Sequence, residues 1–251
     1  MNGMRVEVPA FALAMLAEVG SSTLTGDLIE MGFRNQFICG LSMLAGDAST
    51  RAVGRARTLR FVPLREDLVA AQYADLSNSP HRLSIETLEL GEILVVDVAE
   101  TVDTGVLGDM FARRIRERGG HGVVIDGAIR DLSAVQKVGL PVFARGVHGG
   151  GIQRTLMSAG RDEPIRCGGI TVVPGDVIVA DPDGIVAIPP QVAVKLAEHS
   201  FEHSERELWI HQRLEEGGSL SEYYPPTPSR EGELQAWLNE RRQRSGTRRT
   251  T

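Results

Sequence analysis

The sequence predicts an α/β protein, with parallel strand–helix–strand units in its middle and a compact β-rich segment after them. Three observations lead there. Ile93 to Val98 (ILVVDV) and Val123 to Ile125 are near-continuous, β-branched apolar runs, the composition of strands covered on both faces. Each is followed by a polar stretch carrying helix start and stop signals, and Pro141 to Ala144 adds a third strand. Strand and helix therefore alternate from 93 to 145, the rhythm of parallel βαβ units. From Pro164 the texture changes to short runs, Ile170 to Val173, Val177 to Ala180 and Ile185 to Ile188, separated by Pro174-Gly175 and Asp183-Gly184. An Asp-Gly pair between apolar runs is a hairpin signal.

The remaining elements follow from local chemistry. Between Val8 and Val19, Phe11, Leu13, Met15, Leu16 and Val19 recur at near-helical spacing and predict an amphipathic helix. Ser22 or Thr23 can cap a second helix that runs through Asp27 to about Met31, before Gly32. Arg57 to Pro63 predicts a strand ended by its proline. Gly108 and Asp109 open a helix that continues through Arg118 and stops at Gly119-Gly120. Asp126-Gly127 predicts a turn, and Arg130-Asp131 the start of a helix that ends near Gly139. Residues 191 to about 216 predict a long polar helix, and Pro225, Pro226 and Pro228 mark a loop. Arg241, Arg242, Arg244, Arg248 and Arg249 crowd an end expected to fray. The expected organisation is a single domain over 1–220 and a partly flexible extension over 221–251.

With 251 residues, 42% of them hydrophobic and 24% charged, the chain can bury a core without disulfide or metal staples. A formal charge of -6 argues against a general nucleic-acid binder, which concentrates Lys and Arg to neutralise phosphates. Cys39 and Cys167 stand in unrelated contexts and predict inert thiols. The apolar stretch from Phe11 to Leu16, near Arg5, Glu7 and Glu18, is too short for a secretion signal, and no run approaches a membrane span. A cytoplasmic location with no membrane partner is the expectation.

Two strand-to-helix junctions carry the candidate chemistry. Arg130-Asp131 follows one strand and Gly108-Asp109 the preceding one, which brings two carboxylates and a guanidinium to one crevice. Carboxylates with water between them suit a hard cation such as Mg2+ or Mn2+. An arginine beside it can grip a carboxylate bidentately, helped by free N–H groups from Gly108 to Phe111. A 2-oxo acid fills both places. On the residues alone a plainer reading stands beside this one: Asp131 caps its helix, Arg130 makes a surface ion pair, and Asp109 complements the helix dipole.

The segments GDMFARRIRERGGHGVVIDGAIRDLSAVQKVGLPVFARG (108 to 146) and VVPGDVIVADPDGIVAIP (172 to 189) resemble the family of 4-hydroxy-4-methyl-2-oxoglutarate aldolase and the regulator of ribonuclease activity A. The resemblance covers roughly 20 to 215, and its most specific element is an Asp, twenty residues, then Arg-Asp, reproduced by Asp109, Arg130 and Asp131. It implies an αββα sandwich of swivelling-domain-like topology, assembled as a homotrimer or hexamer. It also implies a lyase that uses Mg2+ or Mn2+ to cleave pyruvyl aldol adducts or to decarboxylate oxaloacetate; one branch of the family instead inhibits a ribonuclease complex. By that likeness Asp131 holds the metal, Asp109 positions it through water, and Arg130 binds substrate and assists proton transfer. Backbone amides of Gly108, Asp109, Met110 and Phe111 take the pyruvyl carboxylate. Acidic residues from a neighbouring subunit complete such sites, with Asp27 as the match for one and Glu207 as a looser candidate for the other. The stretch Thr58 to Asp67 and the C-terminal extension stand out as departures from the shorter aldolases.

The weaker signals favour plain readings. His148 with Gly149 to Gly151 reads as a mobile loop, His121 as a turn residue, and His199, His203 and His211 as a solvated helix face without an H-E-x-x-H motif.

Overall fold

The computed structural model describes residues 6–49, 51–152 and 155–248. These form two compact units, Met1–Ala197 and Glu198–Thr251, whereas the sequence suggested a boundary after residue 220.

The first unit opens with helices α1 (Ala10–Ala17) and α2 (Ser21–Glu30), then strands β1 (Phe37–Ile38), β2 (Ser42–Ala45) and β3 (Ala52–Pro63). Helices α3 (Glu66–Ala74) and α4 (Pro80–Glu86) follow, in a stretch where the sequence had suggested no element. The predicted alternation comes next: β4 (Glu92–Asp97), α5 (Asp109–Glu117), β5 (Gly122–Ile129), α6 (Leu132–Val138) and β6 (Val142–Val147). Strands β7 (Leu156–Arg161), β8 (Ile165–Cys167), β9 (Ile170–Val172), β10 (Val177–Asp181) and β11 (Gly184–Ile188) complete the β-rich part, and α7 (Pro190–Glu215) begins after it. The stretch from Thr58 is built into the sheet: the outer half of β3 pairs with β7, and Phe61 is in the core.

A nine-stranded sheet runs β1-β11-β10-β3-β4-β5-β6-β2, with β7 also paired to β3. Strands β3, β4, β5 and β6 are parallel neighbours, and β10–β11 is the antiparallel hairpin expected at Asp183-Gly184. Side chains alternate faces along each strand. One face sends Leu94, Val96, Val123 and Ile125 into a core shared with Ala112, Ile115 and Val135 of α5 and α6. The other sends Ile93, Val95, Val124 and Phe143 against Ile178, Ala180, Ile185 and Ala187 of the curled-over hairpin. Helix α2 packs on β10 and β11, so the layers read helix, sheet, sheet, helix, and the protein is a mixed α/β fold of the αββα kind.

Asp126-Gly127 is not a turn. Both residues continue β5, where the register with β6 shifts between Ile125 and Ala128 in a bulge. Gly127 is required there, because a Cβ would lie 2.1 Å from Val98 Cγ2 and 2.6 Å from the Thr101 carbonyl. Asp126 is wholly buried, accepting hydrogen bonds from Arg145 Nε and, at 2.8 Å, from the Gly168 N–H. A buried carboxylate satisfied in this way belongs to a sheet interior.

In the second unit, α7 continues to Glu215 and is followed by α8 (Leu220–Tyr223) and α9 (Glu231–Arg248). Trp209, Tyr223, Leu234 and Leu238 form a small core of their own. The segment from 231 to 248 is helical rather than frayed, with Arg241 and Arg242 paired to Glu205 and Glu202. Arg5 and Arg249 lie outside the described residues. No helix among the described residues is long and apolar enough to cross a membrane.

Candidate active site

The two predicted junctions converge. The backbone after β4 runs beside the end of β5: Val106 donates to the Ala128 carbonyl at 3.0 Å and Arg130 to the Leu107 carbonyl at 2.9 Å. Gly105 donates to the Gly150 carbonyl at 2.7 Å, which adds the loop after β6. This contact needs small residues. A Cβ on Gly105 would lie 2.8 Å from Arg130 Cβ, and one on Gly108 would lie 2.7 Å from Asp131 Oδ2.

Between these segments lies a cavity of about 570 Å³, within the usual range for small-molecule sites. Gly108, Asp109, Met110, Phe111, Arg130 and Asp131 all line it, so the sequence-predicted carboxylates, guanidinium and amides share one wall system. Asp131 sits at the N-cap of α6 but does not cap it: its side chain accepts no hydrogen bond from the helix, and its backbone is left-handed, φ 56° and ψ 38°. A non-glycine residue in that region is strained, though Asp tolerates it better than most. The plain capping reading therefore fails. Arg130 Nε donates to Asp131 Oδ2 at 2.8 Å, the carboxylate's single protein partner among the described residues, and both side chains stay nearly half exposed. Asp109 has no protein ion pair among the described residues.

Helix α5 begins at Asp109. The first N–H groups of a helix have no acceptor within it. Among the described residues, no protein acceptor receives a hydrogen bond from the N–H of Gly108, Asp109, Met110 or Phe111. The cavity thus combines unneutralised carboxylate oxygens with an arginine and a row of open amides. Two carboxylates and vacant space for water suit a hard divalent ion, which takes one or two carboxylates and keeps several waters. Asp131 and Asp109 are the residues that can hold it.

Asp27 and Glu207 do not line this cavity. Asp27 lies on α2 and is 1% exposed in its own chain. Glu207 lies on α7 in the second unit, 3.9 Å from His203. His121 is no free turn residue: its Nδ1 is 2.7 Å from the Val53 carbonyl. Ser79, His81 and Arg82, which no motif singles out, line the cavity from α4 and the residue before it. Burial between aromatic rings pulls the His81 imidazole from its ordinary 6.5 to about 4, and neighbouring Arg82 adds to the effect.

Fold and site together define an α/β protein with a charged, open cavity at the carboxyl ends of parallel strands. Residues 22–187 match the family described as RraA-like, Aldolase/RraA, and the chain belongs to that family. The crystal structure of RraAS2 from Streptomyces coelicolor, described as an unusual member of the RNase ES inhibitor RraA protein family, is 32% identical, covers 82% of this chain and 98% of its own, and superposes with a TM-score of 0.72. An uncharacterized protein from Pseudomonas syringae pv. tomato shares the fold at 23% identity, with a TM-score of 0.76 over 88% of this chain and 96% of that one. A protein of Halalkalibacterium halodurans, provisionally named 4-hydroxy-4-methyl-2-oxoglutarate aldolase, is 35% identical over 99 residues, 39% of this chain and 47% of that protein. The match therefore spans about half the length of that curated relative.

Proposed function

We propose that the protein is a divalent-metal-dependent lyase that breaks a C–C bond of a 2-oxo acid to give pyruvate. The reaction is retro-aldol cleavage of a 4-hydroxy-2-oxo acid, decarboxylation of oxaloacetate, or both. The observation that carries this reading is the meeting of Asp109, Asp131, Arg130 and the unpaired amides of Gly108 to Phe111 in one cavity. The name of the Halalkalibacterium relative supports the same chemistry.

Asp131 and Asp109 would hold the metal, Mg2+ or Mn2+, a hard ion that takes few protein ligands. When bound, such an ion supplies Lewis acidity to the substrate ketone. The amides at the start of α5 and the Arg130 guanidinium bind the adjacent carboxylate and so fix the ketone's orientation. Arg130, hydrogen-bonded to Asp131, would assist transfer of the 4-hydroxyl proton to a water molecule in the cavity as the bond breaks, and would steady the charge that develops. As a second part of the proposal, the protein self-associates as a trimer or hexamer, and Asp27 and Glu207 serve the site of a neighbouring copy. The burial of Asp27 in its own chain makes this the more exacting part.

Pyruvate release from oxaloacetate and from 4-hydroxy-4-methyl-2-oxoglutarate tests the reading. Activity should require the divalent ion, vanish in chelator, and be abolished in Arg130→Ala and Asp131→Ala. Full activity in either variant would sink it. Mixing Asp27→Ala with Asp131→Ala subunits should restore part of the activity if sites are shared; no restoration removes Asp27 from the scheme.

The description of RraAS2 favours one alternative, a non-catalytic inhibitor of a ribonuclease complex. Such binding would persist in chelator and in Asp131→Ala.

A further inference from the structure

The cavity has a second polar wall that pyruvate release leaves without a task. Helix α4 brings His81 and Arg82 to the same space as Arg130 and Asp131. His81 is 7% exposed, its ring packed edge-on to Phe61 at 5.2 Å and tilted on Phe111 at 4.5 Å. Neither of its nitrogens has a protein hydrogen-bond partner among the described residues. Those nitrogens are reached from the cavity rather than sealed in the core, so a ligand there can hydrogen-bond to the imidazole.

Arg82 is exposed and makes no ion pair among the described residues. Its surroundings make that notable, since the arginines around the same helix are engaged: Arg114 with Glu86, Arg57 with Glu92 and Asp162, and Arg161 with Asp162. Arg82 is thus a cation at the cavity with no direct carboxylate partner among the described residues: Glu86, one turn further along α4, is bonded to Arg114, and only its field reaches Arg82. A pyruvyl unit held by Arg130 and the α5 amides is a small occupant for about 570 Å³. What the α4 wall meets is the part of the substrate beyond the bond that breaks.

Resting on the lyase reading above, we propose that Arg82 is a specificity-determining residue that recognises a second carboxylate on the leaving portion of the substrate, with His81 hydrogen-bonding to the same end. A guanidinium pairs with a carboxylate through parallel N–H bonds, whereas a methyl group at that position leaves it unsatisfied. Discrimination by an unpaired polar group is larger than discrimination by size alone. Arg82 therefore separates dicarboxylic from monocarboxylic 2-oxo acids.

The test uses two pairs of compounds that differ only at this end. For binding, 2-oxoglutarate and 2-oxopentanoate are titrated calorimetrically into the full-length protein with Mg2+. Wild type should prefer 2-oxoglutarate by roughly 10-fold or more. Arg82→Gln should erase the preference while leaving 2-oxopentanoate unchanged, and Arg82→Lys should keep part of it. For turnover, 4-hydroxy-4-methyl-2-oxoglutarate is compared with 4-hydroxy-2-oxopentanoate. Arg82→Gln should raise KM for the first and spare kcat, and His81→Phe, which keeps the ring packing, should do the same more weakly. Equal binding of both ligands by wild type, no binding of either, or equal weakening of both in Arg82→Gln would overturn the assignment. An Arg82-dependent preference in a protein that releases no pyruvate would uphold Arg82 and remove the lyase reading instead.

Discussion

Strand β5 carries one arginine-paired carboxylate within it, Asp126, and another just past its end, Asp131, and the two pairs are built in opposite ways. Asp126, in the bulge, is fully buried; Arg145 and the Gly168 N–H satisfy its oxygens. Asp131, just past the strand, is left-handed in backbone and 43% exposed, and Arg130 engages only one of its oxygens. The first pair ties β5 to β6 and to the turn between β8 and β9. The second ties nothing together: its arginine and its carboxylate touch each other and the cavity. Strain and unused hydrogen-bonding capacity at the exposed pair, set against full satisfaction at the buried one, are what the proposed site requires and a purely structural pair does not.

The sharpest break of this comparison is by stability. Asp126→Ala leaves Arg145 without its buried partner and should cost about 3–5 kcal/mol, read from urea denaturation. Asp131→Ala should change stability by less than about 1 kcal/mol. Similar losses in both would show that Asp131 is structural after all. Next comes Gly108→Ala. Its Cβ would lie 2.7 Å from Asp131 Oδ2 and 3.3 Å from Arg130 Cγ, so both side chains must move. A displacement of this kind should lower kcat/KM for pyruvate release about 100-fold in a protein that still folds; unchanged kinetics would mean that the pair's geometry is not used.

The smallest effect concerns two buried titratable groups with opposite signs. His81 falls from 6.5 to about 4 on folding, so the unfolded chain binds the extra proton between those values; its contribution is present above pH 6.5 and lost as pH falls towards 4. Asp176, beside Pro174-Gly175, rises from 3.8 to about 6 through burial, against the hydrogen bond from the Val173 N–H. Its contribution is present below pH 3.8 and lost as pH rises through 6. Urea midpoints should therefore lose their acid-side decline in His81→Phe, and Asp176→Asn should gain stability at pH 7. The reverse pattern would mean that the cavity wall at α4 is wetter than its packing indicates.

The sequence disclosed what local chemistry encodes. Apolar runs such as Ile93 to Val98 are long enough to name buried strands, and Asp183-Gly184 names its hairpin. It did not disclose α4, whose seven residues are too few to show a period and whose buried face includes the polar His81 and Ser84. Nor did it disclose β7, whose identity comes from pairing with β3 far away in the chain. Asp126-Gly127 predicts a turn yet forms a bulge, because the same dipeptide serves both. That Asp109, Arg130 and Asp131 face one cavity was legible from their places at two neighbouring strand-to-helix junctions. The left-handed backbone of Asp131 and the α4 wall were not, because they arise from segments that meet only in the folded chain.

The central claim is that Asp131, unlike Asp126, exists to hold a divalent ion. Mn2+ binding followed by water-proton relaxation measures this without any substrate. Wild type and Asp126→Asn, in whatever fraction folds, should bind Mn2+ alike, while Asp131→Asn should lose the site. Undiminished Mn2+ binding in Asp131→Asn would contradict the account.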